Sequence, residues 1–237
     1  MFGFIKKKNS QQFIILLGVI IMSCNLKEKN NISEKAQNIQ TESKTKLTGK
    51  EIVEALEKLN FFNLTDESEL EDSKKELEKA YTDLDFFEGK LRGESMIFTD
   101  NRFYFIDSEE LFEVGGITSY LDIVKISFDK LDLKLNYTNE TSIQTSLHWT
   151  HKIELNGKEY TAYDNDFSDD NWEISYLNFI EMLNDQLKLQ GSFERFYPIS
   201  SANDGRMVLL SPEQFEFVKR NYPNDENIPK TIYEWKN

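Results

Sequence analysis

The sequence predicts an α+β fold with mainly antiparallel sheet. Three observations carry that prediction. A capped stretch with helical spacing opens the chain after residue 46, two alternating runs flank Asn156-Gly157, and other helical stretches stand singly between hairpin signals. An N-terminal helical hairpin is expected first, then β-hairpins interspersed with single helices.

Thr48-Gly49-Lys50-Glu51 is a capping-box pattern, and Ile52, Leu56 and Leu59 follow at helical spacing, which predicts a helix over Gly49 to Asn60. Asp66 and Glu69 open a second helix, with Leu70, Leu77 and Leu84 on one stripe. Ser95 to Asp107 reads as two short strands around a turn at Asp100-Asn101. Gly115-Gly116 breaks the chain. Ile117 to Lys130 then places Tyr120, Leu121, Val124 and Phe128 on one helical face. Leu131, Leu133, Leu135 and Tyr137 alternate with Asp132, Lys134 and Asn136, the pattern of a half-buried strand. Asn156-Gly157, between two alternating runs over His151 to Tyr163, is the strongest hairpin signal in the chain. An acidic loop, Asp164 to Asn171, leads into a helix over Trp172 to Leu189, which Gly191 ends. ERFYPIS and RMVLLS make a further hairpin around Asn203-Asp204-Gly205. Ser211-Pro212-Glu213 caps a last helix to about Asn221, and the tail to Asn237 reads as irregular.

Before this folded part stands a different kind of sequence. Lys6, Lys7 and Lys8 precede an apolar run of ten residues, Phe13 to Met22. As a helix it would cover about 15 Å of a hydrocarbon core about 30 Å thick, too little to span. Basic, then apolar, then small at Ser23 is the order of a secretory signal peptide. Ile21-Met22-Ser23-Cys24 resembles the lipobox of bacterial lipoproteins, and the resemblance covers residues 1–24 only. It implies removal of residues 1–23 and acylation of Cys24, the single cysteine of the chain. Several acyl chains at about 0.8 kcal/mol per buried methylene make a stable membrane anchor. Asn25 to Lys46 has few apolar residues and reads as a disordered tether with an end-to-end distance of roughly 25 Å. Asn25 after the cysteine resembles lipoproteins sent to the outer membrane, so the bacterial envelope is the expected location, with the side of that membrane left open. Residues 47–237 form one expected α+β domain, with a division into subdomains 47–140 and 141–237 as the alternative.

Loss of residues 1–23 leaves 25 basic against 42 acidic side chains, a net charge of −17. Such a surface is a poor partner for nucleic-acid phosphate and attracts a basic protein or a cation.

Asp164, Asp166, Ser168 and Asp170 alternate like the oxygen ligands of a calcium loop, and Asp164, Asp166 and Asp170 are the candidate cation ligands. Asp169 sits where that loop needs glycine, however, and Ser175 where it needs a bidentate glutamate, so a solvated loop before a helix is the plainer reading. His148 and His151 in H-W-T-H fall in a strand-like context that sends them to opposite faces. Ser127-Phe-Asp-Lys130 matches S-x-x-K without the companion elements that motif requires. Phe193, Phe196, Tyr197, Tyr222, Tyr233 and Trp235 are either core or a binding surface, and Phe196, Tyr197, Asn203 and Asp204 are the binding candidates there. No cofactor motif is present. The expectation is a lipid-anchored, non-catalytic binding module. The chain from Trp172 onward resembles, in texture rather than motif, the small acidic immunity proteins that neutralise toxins. An envelope hydrolase using carboxylates on glycans, with Asp164 to Glu173 at its cleft, is the alternative.

Overall fold

Thr48 starts the first helix by the reciprocal cap its sequence pattern encodes. Its hydroxyl accepts from the Glu51 amide at 3.3 Å, and the Glu51 carboxylate accepts from the Thr48 amide at 2.8 Å. The computed structural model describes residues 46–82, 98–201, 203 and 205–237, which fall within one compact unit, Lys44–Asn237. Helix α1 spans Gly49–Lys58 and α2 spans Leu70–Thr82. They pack through Ile52, Val53, Leu56 and Leu77, with a Lys74–Glu57 ion pair at 2.8 Å beside the contact. Leu84, the last residue of the predicted stripe, lies outside the described residues, as does most of the first strand predicted over Ser95 to Asp107.

The turn at Asp100-Asn101 is present. Asn101 takes a left-handed φ of 55°, and the Phe98 amide donates to the Phe103 carbonyl at 3.2 Å. Strand β1 is Phe103–Ile106. A short helix that the sequence reading did not anticipate, α3 (Ser108–Phe112), follows, with Asp107 as its N-cap. Helix α4 runs Gly116–Lys130.

The strand predicted over Leu131 to Tyr137 begins six residues late. Its alternation is real, since Leu135 is buried while Asp132, Lys134 and Asn136 are exposed. Residues 131–136 nevertheless join no ladder. The Lys134 amide donates to the Gln190 side chain at 2.7 Å, and the Lys134 carbonyl accepts from Gln190 and Asn156 side chains at 2.9 and 2.8 Å. Side-chain amides take the bonds a neighbouring strand would have supplied. The strand proper is β2, Tyr137–Gln144, almost wholly exposed and therefore without an apolar period to read.

Strands β3 (His148–Leu155) and β4 (Lys158–Asp166) form the hairpin that Asn156-Gly157 predicts. Positive φ at both turn residues, 49° and 85°, is the type I′ geometry that asparagine and glycine tolerate. Helix α5 is Asn171–Leu189. It ends as Gly191 enters φ 80°, with the Ser192 amide donating to the Leu187 carbonyl and the Gly191 amide to Lys188. Strands β5 (Arg195–Ser200) and β6 (Gly205–Leu210) and helix α6 (Pro212–Asn221) follow as predicted. The tail is not irregular throughout: Thr231 and Glu234 make a third capping box and open α7, Ile232–Lys236. The Lys230 amide donates to the Pro198 carbonyl at 2.9 Å, so the tail covers the outer edge of β5.

Every strand pair described is antiparallel, in two sheets ordered β1-β6-β5 and β2-β3-β4. The architecture is α+β. Strand β6 is central and buried on both faces: Met207 and Leu209 point into one apolar cluster with α4, α5 and β3, while Val208 and Leu210 point into a second with α1, α2 and α6. Helix α5 joins the two sheets with its amide side chains. Asn178 donates to the Ala162 carbonyl of β4 at 2.9 Å, and Asn184 exchanges two hydrogen bonds with the Phe196 backbone of β5, at 2.8 and 2.7 Å. No helix among the described residues is long and apolar enough to cross a membrane.

Candidate functional site

The β2-β3-β4 sheet has an inner and an outer face, and strand alternation sorts the residues between them. Trp149, His151, Ile153 and Leu155 are buried, while His148, Thr150, Lys152 and Glu154 point the other way. His148 and His151 therefore lie on opposite faces, as their strand context predicts. The register sets His148 opposite Asp166 and Thr150 opposite Asp164 on β4, and sets Thr141 and Ile143 of β2 opposite Lys152 and Thr150. Glu159 and Thr161 complete the outer face, which stays open to solvent along its length.

His148 is the centre of a cross-strand cluster there. Its Nδ1 lies 2.8 Å from Asp166 Oδ1 and its Nε2 lies 3.0 Å from Asp164 Oδ1. With a carboxylate on each ring nitrogen, the imidazolium is the favoured form. The bond to Asp166, then that to Asp164, pushes the His148 pKa up. The Thr150 hydroxyl, donating at 2.8 Å, and then His148 hold the Asp164 carboxyl below its ordinary range.

This geometry corrects the calcium-loop reading. Strand β4 continues through Asp166, so the loop is confined to residues 167–170, and Asp164 and Asp166 are spread along extended backbone rather than wrapped around one point. Asp170 sits at the N-cap position of α5, its side chain making no capping bond. Among the described residues no three histidine, cysteine, aspartate or glutamate side chains converge to hold a metal.

The aromatic binding candidates move into the core. Phe196 is buried between Tyr104 and Phe128, at ring distances of 5.9 and 6.4 Å, and Tyr197 stacks on Phe215 at 4.1 Å. Both belong to β5, whose two faces are covered, so neither presents a ring to a partner. Asn203 is exposed at the hairpin turn, whereas Asp204 and Cys24 lie outside the described residues. Trp235 of α7 donates to Glu173 at 3.0 Å, and Phe193 and Tyr233 are the rings left in solvent from that list. Ser127 is buried with its hydroxyl donating to the Asn101 carbonyl at 2.8 Å, and Lys130 pairs with Asp66 at 2.6 Å, so the S-x-x-K residues serve the fold.

Sequence reading passed over Arg102. Its side chain is 0 % exposed and uses all five donors. Nε donates to the Phe61 carbonyl at 2.5 Å. Nη1 donates to Glu194 Oε2 at 3.0 Å and the Leu209 carbonyl at 2.7 Å, and Nη2 to the Asn60 carbonyl at 3.4 Å and Asn63 Oδ1 at 2.5 Å. Those acceptors lie 39 to 107 residues away in sequence, so nothing local announces them. Beside this clamp lies a cleft of about 630 Å³, formed where the end of α1, the Gly191–Glu194 link and the start of α6 meet.

Compared with protein-family models, curated proteins and solved structures, the chain matches none.

Proposed function

We propose that this chain is a lipid-anchored protein of the bacterial envelope, too acidic to favour nucleic-acid phosphate, that acts as a non-catalytic binding module for a basic protein, in the manner of an immunity protein that neutralises a toxin. The observation that carries the reading is the open outer face of the β2-β3-β4 sheet. Glu154, Glu159, Asp164 and Asp166 outnumber Lys152 and His148 on it, and no described element covers it. Charge complementarity of this kind speeds encounter and selects partners. Cross-strand pairs such as His148–Asp166 and Lys152–Glu159, the latter at 3.1 Å, keep the side chains ordered before a partner arrives.

The open face also argues against chemistry at Asp164 to Glu173. A carboxyl works best as a general acid or base when burial and neighbours raise its pKa towards the operating pH. Asp166 is 83 % exposed, and Asp164 is shifted the other way. Nor do these residues line the cleft beside Arg102.

The test uses the full chain in its native envelope with a photo-crosslinking residue at Thr161. The expected result is one discrete protein adduct that fades with added salt and is lost when Glu159 and Asp164 are both changed to lysine. No adduct, or an adduct indifferent to the double charge reversal, would overturn the binding reading. Mass spectrometry of the same material checks the anchor separately: an acylated Cys24 at the N-terminus is expected, and a free thiol with Met1 retained would remove it.

A further inference from the structure

The cleft beside Arg102 is a second site, remote in sequence from the outer sheet face. We propose that it takes a neutral, hydroxyl-rich small ligand with one apolar face, the chemistry of a pyranose sugar. At about 630 Å³ it falls within the span of about 300–1,000 Å³ usual for small-molecule sites.

Its charges cancel. Glu194 is neutralised by the Arg102 guanidinium at 3.0 Å, and Lys58 and Glu213 contribute one charge of each sign to the lining. With Glu194 already paired with the buried Arg102, Lys58 and Glu213 balance, so neither sign of ligand is favoured. What remains is mixed hydrogen-bonding capacity. Glu194 is only 12 % exposed and gives Oε2 to Arg102, which leaves Oε1 as a fixed acceptor. The Ser192 hydroxyl oxygen accepts from the Glu194 amide at 3.1 Å and keeps its own proton to donate. Asn60, held in left-handed backbone at φ 57°, brings a side-chain amide that both donates and accepts. Donors and acceptors set side by side without net charge match hydroxyl groups, each of which does both.

Phe193 supplies the apolar half. Its ring is 80 % exposed in the cleft lining, on the link that Gly191 turns out of α5. A phenyl ring left in water beside convergent polar groups is a platform for the flat C–H face of a sugar. The clamp makes the site rigid: Arg102 ties the Asn60–Asn63 turn, Glu194 and β6 together, so the polar groups are positioned before a ligand binds.

Calorimetric titration of the full chain in detergent with cellobiose and with N,N′-diacetylchitobiose tests this, with inorganic phosphate and putrescine as charged counterparts. Saturable binding of at least one disaccharide is expected. Phe193→Ala should weaken it by about ten-fold, and Asn60→Gly, which suits the left-handed backbone, should weaken it less. Both changes are at exposed positions, and an unchanged unfolding midpoint shows that the fold survives. The proposal fails if neither disaccharide binds, if Phe193→Ala leaves binding intact, or if phosphate or putrescine binds in their place. None of these results bears on the crosslink at Thr161, so the two sites stand or fall separately.

Discussion

Asp100 is a carboxyl that the fold needs for its shape and tolerates poorly as a charge. Its Oδ1 accepts from the Arg102 amide at 2.9 Å and the Phe103 amide at 3.3 Å, which closes the turn into β1. Burial pushes its pKa up from the ordinary 3.8 to about 6, against the pull of those amides and of the Arg102 charge. A carboxyl whose folded pKa is raised lends stability that is complete below its unfolded pKa and is lost as pH rises through the folded value. The decline therefore falls between about pH 4 and pH 6. Asp100→Asn keeps the accepting oxygen and removes the charge. Urea unfolding at pH 8 should show the variant more stable by about 3 kcal/mol, with the difference gone near pH 3; a variant weaker than the parent at pH 8 would refute this account. Arg102 teaches the complementary lesson. In sequence it is one more charged residue in a turn, and only its five distant acceptors make it a buried organiser.

Elements were legible where the code is local. The capping boxes at Thr48 and Ser211 each name their helix because both partners lie within three residues, and Asn156-Gly157 names its hairpin because only certain residues accept positive φ. The misses also have local causes. Strand β2 lies at a sheet edge and is almost wholly exposed, so it lacks the period that marks a strand. Helices α3 and α7 are five residues each, too short to show one. Gly115-Gly116 was legible as a break, but its two residues do different things. Gly115 adopts φ 87°, whereas Gly116 lets α4 approach α3, since a Cβ there would stand 1.9 Å from the Glu110 carbonyl oxygen. That neighbour is backbone and cannot swing away. Gly116→Ala should lower stability by about 2–3 kcal/mol, measured as a fall in the urea midpoint. A change under 0.5 kcal/mol, roughly that of a neutral surface substitution, would show that the two helices are not in such close contact.

For the whole molecule, charge has a consequence that any single ion pair does not. Forty-two acidic against 28 basic side chains leave −14 on the full chain, and self-repulsion of that kind works against the compact state. Raising salt from about 0.01 to 0.3 M shortens the screening length from about 30 Å to under 8 Å. The melting temperature should rise over that range, and a fall would mean that surface ion pairs such as Lys125–Asp129 outweigh the excess of like charge. By itself the sequence determined the elements whose signals close within a few residues, the α+β class they add up to, and the acidic balance. Tertiary structure alone decided that β1 pairs with β6 across a hundred residues, that Phe196 and Tyr197 are core, that His148 lies between Asp164 and Asp166, and that Arg102 ties together residues lining a cleft. The physical reason is that period and caps record what a residue needs from its neighbours in sequence, whereas strand order and burial depend on which distant surface removes it from water.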